Sequence, residues 1–345
     1  MANTKMKIKY WGVRGSIPAP LTDKDVFDKI VAVVKDIRGD IQHLVSEELI
    51  REYLTTLPRC MIGTYGGNTT CIEVQAKDSP LIMLDAGSGA REMGNSLLPR
   101  IFSGQNLNQL SKDDAAKREV HLLLSHYHWD HLQGFPFFVP AFLTGQNKVT
   151  VNFYGKKDTR QRLSEVLSGQ QQYPNFPVEW EDMPCDKVYH ELSRLESRTL
   201  QIGSAKVTYQ ELNHPDEVFA YRIETNGKSF VLATDTEHRD HPDPRLVKLA
   251  KGADILYYDA QYTPDEYKGK KGMPKIDWGH STYEWGVKNA IAAGVKTLVL
   301  GHHDPGRSDE GLEEILMSAK RFCDEQHSPN SLDIVMGYDG LEQYI

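Results

Sequence analysis

The sequence predicts an α/β protein of the αββα-sandwich kind, two mixed β-sheets packed face to face with helices on their outer surfaces. Three observations carry this expectation. Short apolar runs of strand length fall into two groups, one in each half of the chain, and each group is followed by segments with helical periodicity. A dense set of histidines and aspartates follows directly on one of those apolar runs, which is where α/β sheets commonly expose reactive groups on a rigid base. Composition is that of an ordinary folded chain: 345 residues, 39% hydrophobic and 26% charged, with no low-complexity tract or internal repeat. A single domain, 1–345, fits best.

Taken in order, residues 7–13 (KIKYWGV) read as a first strand, and the Gly and Pro of GVRGSIPAP then force a loop. From Asp23 to Leu57 the texture changes. Apolar residues at Val26, Ile30, Val33 and Ile37, then at Ile41 and Leu44, mark two amphipathic helical segments broken near Gly39, a helical hairpin inserted at about 21–62. YGGNTTCIEVQ and the run 81–84 form a strand pair ending in DAGSGAR, where the glycines free the chain to turn into a helix. The run 120–124 is a strand ending at SHYHWDH. Later strands are expected at 148–154, 206–212, 218–225, 228–234, 254–258 and 296–301, and helices at 158–168, 243–250, 281–293 and 309–326.

Charge and cysteine usage narrow the class. Forty basic against 48 acidic residues give a formal net charge of −8, which works against strong non-specific binding to nucleic acid. Cys60, Cys71, Cys185 and Cys323 are scattered and form no CxxC pair, so free thiols in a reducing cytoplasm are expected. The first residues lack a secretory pattern, and no apolar run reaches the roughly 18–20 residues of a membrane span.

Within SHYHWDH, His126, His128, Asp130 and His131 place three imidazoles and one carboxylate inside six residues. Neutral imidazole and carboxylate are ligands for Zn²⁺ and similar ions, and the set divides into two partly separate subsets, enough to start two sites. Chance placement of four such groups on a polar loop is the bland alternative, and this spacing makes it poor. Trp129 and the aromatic stretch 135–138 read as packing beneath that loop.

An HxHxDH motif after a hydrophobic strand resembles the signature of the metallo-β-lactamase superfamily. The segments WGVRGSIPAP, YGGNTTCIEV, LDAGSGAR, SHYHWDHLQGFPFF, LNHPDEVFAYRI, ATDTEH, WGHST and LGHHDP, in that order, are similar to its phosphodiesterase branch. That branch includes ribonuclease Z, the cyclic phosphodiesterase of phosphonate breakdown and phosphodiesterases of cyclic nucleotides. The resemblance implies two divalent ions, Zn²⁺ first with Mn²⁺ or Fe²⁺ as alternatives. His126, His128 and His214 would hold one; Asp130, His131 and His302 the other; Asp235 would bridge them. His303 competes with His302 for its place. His238 and His241 fall in a proline-rich loop and are left out of the ligand set.

Two ions about 3.5–4 Å apart activate a bridging hydroxide as nucleophile, and no serine or cysteine motif competes for that role. WGHST resembles the histidine loop of ribonuclease Z. His280 there would donate a proton to the leaving alkoxide, with Asp259 orienting it and Asp130 completing the catalytic set; the bland reading is a helix-entry histidine with Ser281 or Thr282 as cap. Asp85 in LDAG is expected to hydrogen-bond a ligand histidine, and Arg14, Ser16, Asn68 and Thr282 to contact substrate.

The expected activity is hydrolysis of a small or cyclic phosphodiester, a cyclic nucleotide among them, with ribonuclease Z-like tRNA processing as the alternative. A lactonase or thioesterase, and a non-catalytic partner-binding protein, rank lower. The resemblance also implies a homodimer. The insertion at 21–62 departs from the short link of the family, and a lid, a dimer interface and simple surface packing all remain open for it.

Overall fold

The computed structural model describes residues 5–39, 46–157, 161–193, 198–326 and 332–345. The first sheet takes β1 (Met6–Gly12), β2 (Cys71–Ala76), β3 (Leu81–Leu84), β4 (Glu119–Leu123), β5 (Thr150–Lys156) and β6 (Asp186–Leu192). The second takes β7 (Thr199–Ile202), β8 (Ala205–Leu212), β9 (Val218–Thr225), β10 (Lys228–Ala233), β11 (Ile255–Asp259), β12 (Thr297–Gly301) and β13 (Asp333–Met336). The last strand, β14 (Glu342–Tyr344), returns to pair with β1.

Strand order is β14-β1-β2-β3-β4-β5-β6 in one sheet and β13-β12-β11-β10-β9-β8-β7 in the other. Both sheets divide the same way: antiparallel from β14 to β3 and from β7 to β10, parallel from β3 to β6 and from β10 to β13. The expected pair of mixed sheets is therefore present, each with seven strands.

Helices flank the two sheets. They are α1 (Asp23–Asp36), α2 (Glu47–Thr56), α3 (Arg59–Ile62), α4 (Ala90–Phe102), α5 (Leu163–Gly169), α6 (Pro244–Leu249), α7 (Pro264–Tyr267), α8 (Tyr283–Ala293) and α9 (Asp309–Glu325). Alternation in β1 sends Met6, Ile8 and Tyr10 inward, where they meet Ile72, Val74, Tyr221, Phe230 and Tyr257 in the layer between the sheets. A second apolar layer packs Val287, Ala290, Leu312 and Ile315 of α8 and α9 on the other sheet's outer face, and a third packs Met93, Leu97 and Leu167 of α4 and α5 on the first. Four layers result.

The predicted hairpin appears as α1 and α2, with Ile41 and Leu44 outside the described residues. Thr22 and Asp25 form a capping box at the start of α1, and Ser46 caps α2. Neither helix has a buried residue; Phe27 is 65% exposed. The hairpin is tied down mainly at its base. Lys29 pairs with buried Asp309 at 2.8 Å, and α3 links α1 to α9.

The helix expected at 158–168 is seen as α5, and 158–160 lie outside the described residues. The strands β6, β7, β13 and β14 were not anticipated. Nor was the run of short 3-10 turns from Trp129 to Asn147, where Pro136 and Pro140 withhold the N–H groups a longer helix needs. Among the described residues no helix is long and apolar enough to cross a membrane.

Candidate metal centre

The site lies where strands of both sheets end. β4 runs out into Ser125–His131, β3 into Asp85, β8 into His214, β10 into Asp235, β11 into Asp259 and β12 into His302. At three of these exits the backbone turns through the left-handed region: Asp85, Asp235 and His302 have φ of 56°, 47° and 54°. Non-glycine residues hold that conformation at a cost, here imposed by the surrounding packing. Gly15 is required by the same crowding, since a Cβ on it would come within 2.5 Å of the His302 ring.

Three groups of ligand atoms converge, a smaller one of Asp259, His280 and His302 and two of four residues each. His126, His128, His214 and Asp235 bring one atom each within 4.8 Å of one another, and so do Asp130, His131, Asp235 and His302. Asp235 belongs to both. Its Oδ1 lies 3.3 Å from His131 Nε2 and 3.1 Å from His302 Nε2, and its Oδ2 lies 3.7 Å from His126 Nε2. Asp130 Oδ2 lies 3.3 Å from His131 Nε2 and 3.4 Å from His302 Nε2, and accepts the backbone N–H of Ser16 at 2.8 Å.

The outer nitrogens of these rings are already engaged. His131 Nδ1 donates to Asp85 at 2.8 Å, His126 Nδ1 to the Ser125 hydroxyl at 3.1 Å, and His302 Nδ1 to Gln261 at 3.1 Å. Asp85 in turn accepts the Ser125 backbone N–H and hydroxyl. Each bond fixes the tautomer so that a bare Nε2 points inward. The Nε2 atoms of His126, His131 and His302 are buried and have no hydrogen-bond partner. Three orphaned imidazole lone pairs beside two carboxylates are the donor set a divalent ion needs.

Electrostatics agree. Burial lowers His126 and brings His214 down to about 4, so both stay neutral. Burial also works against protonated His131 and His302, yet Asp235 and Asp130 overcome it, raising His131 and carrying His302 up to about 9. Asp130 and Asp235, despite burial, are held below the usual carboxylate range by the neighbouring histidines. The cavity is built for positive charge.

His280 stands beside this cluster. Its Nδ1 donates to Asp259 at 2.8 Å, and its ring stacks on His302 with centroids 5.0 Å apart. Asp259 is fully buried and also accepts the backbone N–H of Gln261 and Ser281. Gly279, at φ 86°, lets this loop approach, because a Cβ there would meet His214 at 2.3 Å.

Several expected roles change. Arg14 is buried, and its guanidinium bonds the carbonyls of Gly66, Asp304 and Arg307, so it braces loops. Asn68 is committed to Asp339 and Ser88. Thr282 is 1% exposed at the start of α8, and its hydroxyl makes no capping bond. Ser16 reaches the site through its backbone. His303 turns away to the Gly337 carbonyl, leaving His302 in the cluster. His238 packs between Tyr267 and Trp285 and bonds Ser281, and exposed His241 pairs with Asp240. Phe135 and Phe138 are buried as expected, whereas Trp129 and Phe137 are exposed.

Glu237 was missed. Buried two residues after Asp235, it accepts the Tyr267 hydroxyl and the N–H of Asp277 with one oxygen and the N–H of Gly279 with the other. Its own N–H donates to Asn213. It thus joins the His280 loop to the segments that carry His214 and Asp235, and a glutamate so close to a ligand was the one signal for it.

Comparison with known proteins agrees with this geometry. A model of the β-lactamase superfamily domain matches residues 81–303, a span that contains all seven residues of the two larger groups together with Asp259 and His280. The chain is 29% identical to the Mycobacterium tuberculosis protein Rv1339 over 226 residues, 65% of this chain and 74% of that one. It is 21% identical to ribonuclease Z of Haloarcula marismortui, covering 84% of this chain and 97% of that one. A diphosphatase of the PhnP family superposes with a TM-score of 0.58 at 17% identity, over 99% of this chain and 98% of the other.

Proposed function

Since the chain belongs to the β-lactamase superfamily, whose members include metal-dependent hydrolases, we propose that it is a metal-dependent phosphodiesterase of small or cyclic phosphodiesters, cyclic nucleotides among them. The observation that carries this reading is the His280–Asp259 pair set against the ligand cluster. Hydrolysis of a phosphodiester must protonate a departing alkoxide, and an imidazole aligned by a buried carboxylate is suited to that task.

His126, His128, His214 and Asp235 would hold one divalent ion and Asp130, His131, Asp235 and His302 a second, zinc first among candidates. Ions there supply Lewis acidity toward the phosphoryl oxygens and acidify bound water. The chain's own residues do the rest. Asp85, Ser125 and Gln261 orient the ligand rings, Glu237 holds the Gly279 turn, and Asp259 presents His280 with its Nε2 free for the proton.

Cleavage of pre-tRNA is the second reading, supported by the likeness to ribonuclease Z over most of both chains and opposed by the net charge of −8. A homodimer and a cytoplasmic location belong to the same proposal, the first supported by the uncovered apolar face of α1 and α2, the second by four free cysteines. Sedimentation tests the dimer.

The deciding assay compares cyclic mononucleotides, cyclic dinucleotides, bis-p-nitrophenyl phosphate and pre-tRNA, with and without a chelator. Chelator-sensitive turnover of the small diesters is expected. Turnover of pre-tRNA alone would transfer the assignment to the second reading.

A further inference from the structure

Trp129 lies between two clustered residues, His128 and Asp130, and its side chain is 66% exposed. Its backbone is fixed, since its carbonyl accepts the N–H of both Leu132 and Gln133. Among the described residues the indole has no hydrogen-bond or ring partner. The second indole is Trp278, 48% exposed, in the loop that carries His280. Lys275 Nζ sits 3.9 Å from its ring centroid.

The chain neighbours of the two tryptophans meet at one histidine. His128, next to Trp129, has its ring 4.9 Å from His214, and Gly279, next to Trp278, packs against that same His214. Both large apolar rings thus stand in water on neighbouring segments, each one residue from the wall of the candidate metal centre. Neither contributes to the core. Large exposed aromatics grouped beside a polar site are the usual mark of a binding surface.

We propose that Trp129 and Trp278 form a stacking rim that recognises the nucleobase of a nucleotide phosphodiester. The inference rests on the phosphodiesterase reading and narrows its substrate class. A base lies flat on an indole whatever its identity, so the rim selects base-bearing esters without choosing among bases.

The test uses the metal-loaded protein and two esters with the same reacting group, 3′,5′-cyclic AMP and 1′-O-methylribose 3′,5′-cyclic phosphate, which has no base. The expected kcat/KM ratio favours cyclic AMP by roughly 5- to 100-fold, the range of one base–aromatic stack. Trp129→Ala and Trp278→Ala should each cut that ratio, and Trp129→Phe should keep most of it. A wild-type ratio near one overturns the rim while leaving the phosphodiesterase reading intact. Equal losses on both esters in Trp129→Ala also overturn it, pointing to a role in shaping the metal loop. If neither ester is hydrolysed, calorimetry with AMP and ribose 5-phosphate still decides. Tighter AMP binding that Trp129→Ala abolishes supports the rim, and equal affinities refute it.

Discussion

A histidine held at 2.8 Å by a fully buried carboxylate has one nitrogen committed and one available, and that division of labour sets what each substitution does. His280→Ala is expected to lower turnover of esters with poor leaving groups by about 10²- to 10⁴-fold, the usual worth of a positioned general acid. Metal content should stay near wild type, because His280 lies outside both four-residue groups. Asp235→Ala should do the reverse and empty the centre, since Asp235 belongs to both groups; metal analysis after gel filtration separates the two outcomes. Full activity of His280→Ala on a poor leaving group would end the proton-donor role. Sequence made these residues legible because ligand chemistry tolerates few residue types. The bracing part of Arg14 was not legible, because a polar residue on a glycine-rich loop looks the same whether it faces solvent or holds a neighbouring loop. Glu237 escaped notice because its value lies in three donors brought to it by distant segments.

At the scale of elements, the helical insertion shows how little area ties an appendage to its body. Asp309, at the start of α9, pairs with Lys29 of α1, accepts the Tyr65 N–H at 3.0 Å and faces Arg14 at 3.8 Å. Asp309→Ala leaves a half-buried Lys29 and a buried Arg14 less compensated and should destabilise the fold by roughly 3–5 kcal/mol. Urea unfolding checks this, and a change below about 1 kcal/mol would show that the cluster is replaceable. Strands whose side chains are buried on both faces, such as β4 and β11, were readable to within a residue or two as continuous apolar runs. Strand β6 was not. Its sequence DKVYHEL is exposed or half-buried at a sheet edge except for Leu192, and only pairing with β5 makes it a strand.

For the molecule as a whole, pH acts through Asp339, which accepts the N–H of Gly67 and Asn68 and so joins the C-terminal segment to the loop before β2. Burial pushes its carboxyl up to about 7 although those donors oppose the shift. The unfolded chain releases this proton near the ordinary 3.8, so between about 4 and 7 the native state binds more protons, and stability falls as pH rises through that window. Asp339→Asn keeps an acceptor for the same donors and has nothing to ionise. Its denaturation midpoint, measured against wild type from pH 5 to 8, should gain steadily and level off above pH 7. Parallel profiles would mean that Asp339 is already ionised at pH 5.

Each of the two ligand groups draws two residues from loops of one sheet and two from the other: His126 and His128 against His214 and Asp235, and Asp130 and His131 against Asp235 and His302. Ions bound there would act as a clasp across the seam of the sandwich. Under a pulling force, or in slow amide exchange, the two sheets should separate along that seam more readily once a chelator has opened the clasp, with protection lost first at the ends of β4, β10 and β12. Catalysis and mechanical closure would then depend on the same few bonds, and a protein starved of metal would be a looser body as well as an idle one.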